Sequence, residues 1–225
     1  MGLGREVREK IARRAAQEIM PGMVVNLGIG IPTLVADFVP TEVPVMFHAE
    51  NGVLGTGPSP EKGNENTLLC NAGGFPITAS KGASYFDSAT AFAIIRRGKL
   101  DMTIMGALQV SEQGDLANWI VPGKRVPGMG GAIELAEKAK RVLILMNHTD
   151  KYGQPKILRK CSLPLTASLC VNLIITEMAV IEVTKEGLLL KEVFSPFTVE
   201  EVIACTEPQL IIDLASLDKE ERYGS

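Results

Sequence analysis

Short apolar runs recur along this chain, each closed by glycine, proline or a polar turn, and segments of helical period lie between them. Residues 23–27, 43–47, 102–105, 142–146 and 173–175 are too short for buried helices and read as strands hidden on both faces, Val142-Leu143-Ile144-Leu145-Met146 most plainly. Residues 5–20 place Val7, Ile11, Ala15 and Ile19 at four-residue spacing opposite Arg, Glu and Lys, an amphipathic helix stopped by Pro21-Gly22. Further helices are expected at 33–38, with Pro32 near its first position, and at 91–97, 132–140 and 199–204; strands are expected at 179–183 and 188–193. Strand and helix in alternation predict an α/β fold, an open, largely parallel sheet with helices on both faces.

A length of 225 residues is ample for one large core, so a single domain over 1–225 is expected, ending in a polar tail from about 214 to 225. With 46% hydrophobic and 22% charged residues the chain is not disordered, and no apolar run approaches the roughly 20 residues that cross a bilayer. Met1-Gly2-Leu3-Gly4-Arg5-Glu6 has no apolar signal core, and Glu6 breaks a myristoylation pattern, so a cytoplasmic protein without a membrane partner is expected. A net charge of −3 with interspersed signs gives no field for nucleic acid. Cys70, Cys161, Cys170 and Cys205 are widely spaced in mostly apolar surroundings and read as reduced core residues; with only His48 and His148 beside them, no metal site is expected.

Two regions escape the alternation. Residues 51–88 are rich in Gly, Pro, Asn and Ser with little periodicity, and 114–131 hold the only tryptophan, Trp119, and end in Gly128-Met129-Gly130-Gly131. Long irregular loops are usually functional, and both follow strands, so they are expected to flank one cleft. The first opens on His48-Ala49-Glu50-Asn51-Gly52, placing Glu50 at or just past the carboxyl end of the 43–47 strand, where open α/β sheets gather ligands. Taken alone, Glu50-Asn51-Gly52 reads equally as a tight turn whose carboxylate accepts hydrogen bonds.

Other chemistries fit poorly. Gly28-Ile29-Gly30 after a strand invites a dinucleotide reading, but position 33 is Thr where that fingerprint wants a third glycine. A pyrophosphate could still rest on the amides of this helix start. No G-x-S-x-G elbow, HExxH or Walker pattern occurs. His48 and His148 read as packed strand-end histidines rather than general bases.

Four ordered motifs carry a resemblance: Asn26-Leu27-Gly28-Ile29-Gly30-Ile31-Pro32, Glu50-Asn51-Gly52 with Gly55-x-Gly57-Pro58, Gly114-Asp115-Leu116-Ala117-Asn118-Trp119 and Gly128-Met129-Gly130-Gly131-Ala132. Together, over about 7 to beyond 204, they resemble the B-type half of family I CoA-transferases of the 3-oxoacid type. The resemblance implies a coenzyme A (CoA) transfer between an acyl-CoA and a free acid such as acetoacetate, by a ping-pong route through a glutamyl-CoA thioester at Glu50. It implies the Gly131 N–H as oxyanion donor with Gly130 shaping the approach, and Asn26, Gly28, Gly30, Asn51 and Gly52 around CoA and the nucleophile. CoA would be substrate and covalent intermediate, with no permanently bound cofactor and no metal. An A-type subunit would complete the site in a hetero-oligomer. Relatives usually carry Lys after the Asn-Ala-Gly at 71–73, where this chain has Gly74, which implies a different CoA affinity or substrate choice. A non-catalytic CoA-binding subunit that keeps the fold is the rival reading.

Overall fold

The computed structural model describes residues 4–123 and 128–212. Its strands and helices in chain order are α1 Arg5–Ala16, β1 Val24–Leu27, a 3₁₀ helix Ile31–Phe38, β2 Met46–Ala49, β3 Val53–Thr56, β4 Ala79–Tyr85, α2 Ser88–Arg96, β5 Met102–Gly106, β6 Gln109–Ser111 and β7 Leu116–Ala117. There follow α3 Ala132–Lys138, β8 Val142–Leu145, β9 Ile157–Leu158, β10 Leu173–Ile175, β11 Ala179–Val183, β12 Leu188–Val193, α4 Val199–Ala204 and β13 Leu210–Ile212.

One ten-stranded open sheet runs in the order β13-β12-β11-β10-β8-β5-β1-β2-β3-β4. Its centre, β10-β8-β5-β1-β2, is parallel throughout, and antiparallel pairs flank it on both sides. A three-stranded sheet, β7-β6-β9, stands apart. Successive central residues alternate between two cores. Met102, Ile104, Leu143, Leu145, Leu173 and Ile175 pack with α1 and the 3₁₀ helix, whereas Met105, Val142, Ile144 and Ile174 pack with α2, α3 and α4. Both faces being buried is why the central runs are apolar without alternation. Arg14 ties α1 to the far flank by bridging Glu18 and Glu192, and Arg141 holds the other oxygen of Glu18.

The expected α/β sheet is present, but its limits differ from the sequence reading. The 43–47 strand begins later, at Met46, and continues through His48 and Ala49 because these pair with β1 on one side and β3 on the other. The 51–88 region is not one loop: it contains β3 and β4. Leu54-Gly55-Thr56 carries a register shift against β4, and β4 is an exposed edge strand of Ala, Ser, Lys and Gly, so neither shows an apolar alternation. The 114–131 region likewise contains β7, and its residues 124–127, like the tail at 214–225, lie outside the described residues. Cys70 is exposed on the segment between β3 and β4, not in the core. Cys161 and Cys170 are half-buried thiols, pushed by burial up to about 11 and about 12.

Candidate active site

Parallel strands deliver their carboxyl ends to one edge of the sheet, and Glu50 is the first residue past the end of β2. The chain reverses there because Gly52 N–H donates to Ala49 O (3.0 Å) and Gly52 O accepts from Phe86 N–H (3.0 Å). Gly52 has φ +113°, and a methyl on it would stand 2.0 Å from Phe86 O, so only glycine closes this turn. Its place is structural: it packs the β2–β3 turn against the start of α2.

Facing Glu50 is the start of α3. Gly131 is its N-cap residue, so the amides beside it have no partner of their own in the helix. The approach is close enough that a methyl on Gly131 would lie 2.9 Å from Glu50 Oε2, and one on Gly130 3.6 Å from Glu50 Oε1. Burial raises the Glu50 carboxyl above its ordinary range; a hydrogen bond from the Gly131 backbone N–H opposes the rise, and the charge of Glu134 adds to it. The result is a half-buried carboxylate held by a main-chain donor in a partly desolvated corner.

Beneath Glu50 lies a row of buried polar residues that the register fixes, His48 on β2, Asn26 on β1 and Thr103 on β5. Asn26 Nδ2 donates to His48 O (3.1 Å), and its Oδ1 accepts from Thr103 Oγ1 (3.2 Å). With a relative exposure of 2%, Asn26 therefore joins three strands under the carboxylate instead of reaching a ligand, which corrects the contact expected of it. His48 packs beside Phe86; burial keeps it below the ordinary histidine pKa, with a weak opposing pull from the Ala91 backbone. Neither of its ring nitrogens makes a hydrogen bond of normal geometry within the described residues. It is a packed histidine, as its sequence setting suggests.

The turn after β1 is also more structural than the sequence implied. Gly28 N–H donates to Ile104 O (2.8 Å), and a methyl there would be 3.1 Å from the same oxygen. That amide is engaged by β5 and Pro32 has none, so the expected pyrophosphate rest is reduced to the backbone around Gly30, the residue that opens the 3₁₀ helix. Asn51 is exposed and donates from Nδ2 to Cys70 O (2.8 Å), tying the rim next to Glu50 to the loop that carries Gly74. In that loop Asn71 Oδ1 accepts from Gly73 N–H and Phe75 N–H.

The Gly114–Trp119 motif lies in the small sheet. Asp115 accepts from Ser111 Oγ and Leu169 N–H, and Asn118 donates to Gly106 O and accepts from Thr166 Oγ1, so these side chains brace the carboxyl edge of β5. Three residues near Glu50 escaped the sequence reading: Phe92, whose ring meets Gly131, Glu134 in the first turn of α3, and Arg96, which pairs with Glu134. Only the acid in a first helical turn leaves a trace in sequence.

Cavities of about 1080 Å³, between Gln113, Val183 and Leu210, and about 680 Å³, between Met23, Val45 and Lys81, open elsewhere, and neither has Glu50 among its lining residues. Among the described residues no group of three or more His, Cys, Asp or Glu could hold a metal ion, and no helix is long and apolar enough to cross a membrane.

The coenzyme A transferase family model matches residues 8–204. The beta chain of a probable coenzyme A transferase of Bacillus subtilis is 61% identical over 95% of this chain and 99% of its own. The mitochondrial succinyl-CoA:3-ketoacid coenzyme A transferase 2B of mouse is 48% identical over 88% of this chain, which spans 39% of the mouse protein. Among solved structures, an acyl-CoA transferase from Escherichia coli O157:H7 in a thioester complex with CoA superposes with a TM-score of 0.74 at 21% identity, over 93% of this chain and 42% of that one. The decarboxylase AibA/AibB superposes at 0.69 and 18% identity, so the fold alone serves more than one chemistry. The family match over most of the chain and the identity to transferase subunits go further than the fold: this chain is a transferase belonging to the coenzyme A transferase family.

Proposed function

We propose that this chain is the B-type half of a two-subunit CoA-transferase that moves CoA between an acyl-CoA and a short-chain carboxylic acid, a 3-oxoacid such as acetoacetate on one side. Glu50 is the nucleophile. One Glu50 oxygen attacks the thioester carbonyl, the C–S bond breaks, and CoA leaves as thiolate from a mixed anhydride. The thiolate then attacks the Glu50 carbonyl carbon and expels the donor acid as carboxylate, leaving a glutamyl-CoA thioester. The acceptor carboxylate repeats both steps in reverse and regenerates Glu50. No proton is consumed.

Each attack makes a tetrahedral oxyanion, and the Gly131 N–H that holds the resting carboxylate stands where that oxygen would develop charge. Burial disfavours the free carboxylate, which raises its reactivity once a substrate excludes water. The observation that carries the reading is this carboxylate against the Gly130–Gly131 turn. Names of relatives support the rest: two Bacillus proteins are named as the beta and the B members of transferases with more than one kind of subunit, and the mouse transferase is two and a half times as long. The partner would supply the remaining wall of an acyl pocket that Glu50 does not find in either large cavity of this chain.

The test is the mass of the Glu50 peptide after the purified chain and its A-type partner meet acetoacetyl-CoA. A gain of CoA less water is expected in the wild type and none in Glu50→Gln. An adduct that persists in the variant would move the nucleophile elsewhere, and no adduct with a folded, paired wild type would favour a non-catalytic role.

A further inference from the structure

The Gly130–Gly131 turn does not hold its own position. α2 packs alongside α3, and the two touch the site through three side chains. Phe92 of α2 meets Gly131 so closely that a methyl there would stand 2.9 Å from the ring Cε1 and 3.0 Å from Cζ. Arg96, one turn further on, lies over the Phe92 ring at 5.5 Å from its centroid and donates from Nη2 to Glu134 Oε1 at 3.1 Å. Gly131 is thus pinched between the Phe92 ring and the Glu50 carboxylate, with 2.9 Å on either side of a methyl that is not there.

We propose that Phe92, Arg96 and Glu134 form a positioning clamp from α2: the ring sets how near the Gly131 amide stands to Glu50, and Arg96 restrains the charge of Glu134 behind it. The inference rests on Glu50 as nucleophile. A flat ring is suited to the role because it fills the space behind Gly131 without a polar atom that would compete for the amide. The charged groups facing Glu50 from its neighbours are Glu134 on α3 and Arg96 on α2; His48 on β2 is held neutral by burial. Misplacing a reacting group by about 1 Å can cost on the order of 100-fold.

The experiment measures the single-turnover rate of adduct formation on Glu50, per folded complex with the A-type partner, using acetoacetyl-CoA. Phe92→Ala is expected to slow it by at least about tenfold with KM for the acyl-CoA within about twofold, and Phe92→Leu to recover much of the loss. Val202→Ala, a buried truncation on α4 away from Gly131, serves as the stability control and should leave the rate near wild type. Equal rates in Phe92→Ala and Val202→Ala at matched melting temperature would overturn the positioning role. Arg96→Gln should move the acidic limb of the rate profile to higher pH and Glu134→Gln to lower pH, since each changes the negative charge beside Glu50. Limbs that coincide with wild type in both variants would overturn the charge half. A wild type that forms no adduct would instead remove Glu50 as nucleophile, a separate failure.

Discussion

Two parallel strands of the same sheet end in buried titratable groups, and the two corners are built in opposite ways. After β8, His148 is fully buried, with Nδ1 2.9 Å from Thr176 Oγ1 and Nε2 2.9 Å from Thr206 Oγ1. Thr206 donates its own proton to Val202 O, so it accepts from Nε2–H, and Thr176, which accepts from the Met178 and Ala179 amides, donates to Nδ1. The ring is neutral and saturated, and burial, aided by Lys156, pushes its pKa down to about 4. After β2, Glu50 is only half-buried, leans on one main-chain amide, and has a like charge for company. Saturation makes a residue inert and stabilising; partial satisfaction leaves capacity that a substrate can complete.

The contrast breaks first at Glu50. Glu50→Gln should lower turnover by at least about 1000-fold, the scale of losing a nucleophile, while raising the melting temperature at neutral pH. The sign follows from linkage: a carboxyl whose folded pKa lies above its ordinary 4.5 costs stability once the pH exceeds that value, and the amide removes the charge. A lower melting temperature in the variant would contradict the desolvated corner.

Gly131→Ala comes next. The added methyl meets the far end of Glu50 and the Phe92 ring at 2.9 Å each, groups that can swing away, so the fold should survive while the carboxylate loses its amide. A rate loss of about 100-fold with a small change in thermal midpoint is expected from steady-state assays and calorimetry. A rate within a few-fold of wild type would detach the turn from the chemistry.

His148 should show the reverse pattern. Its folded pKa of about 4 lies below the ordinary 6.5, so its stabilising share is whole above pH 6.5 and is lost as the pH falls toward 4, by on the order of 3 kcal/mol. Denaturant midpoints across that window should fall in the wild type and flatten in His148→Gln, with little change in rate per folded molecule. The smallest effect is expected at the rim: Asn51→Ala removes an exposed hydrogen bond to Cys70 O and should change KM for the acyl-CoA a few-fold, without touching the folded stability by more than about 1 kcal/mol.

Where the sequence reading worked, local physics was sufficient. The apolar runs at 102–105, 142–146 and 173–175 became β5, β8 and β10 almost residue for residue, because a strand buried on both faces has to be apolar throughout. Glu50 was marked by its place between such a run and three glycines. Where it failed, the deciding partner was far away. β4 has no alternation to read, since as an exposed edge it is held only by β3. Asn26 and Gly28 were read as ligand contacts because polar and glycine residues past a strand often are; their groups are engaged by His48, Thr103 and Ile104, assignable only once the strand order is known.

The chain's own pattern determined a parallel α/β sheet and put a carboxylate at its carboxyl edge, because periodicity and turn chemistry act over a few neighbours. The tertiary structure decided what surrounds that carboxylate. Glu50 and Gly131 are far apart in number and adjacent in space, and Phe92 comes from yet another helix; burial, hydrogen bonding and charge at such a junction are properties of the packed molecule, with no counterpart in any local stretch of sequence.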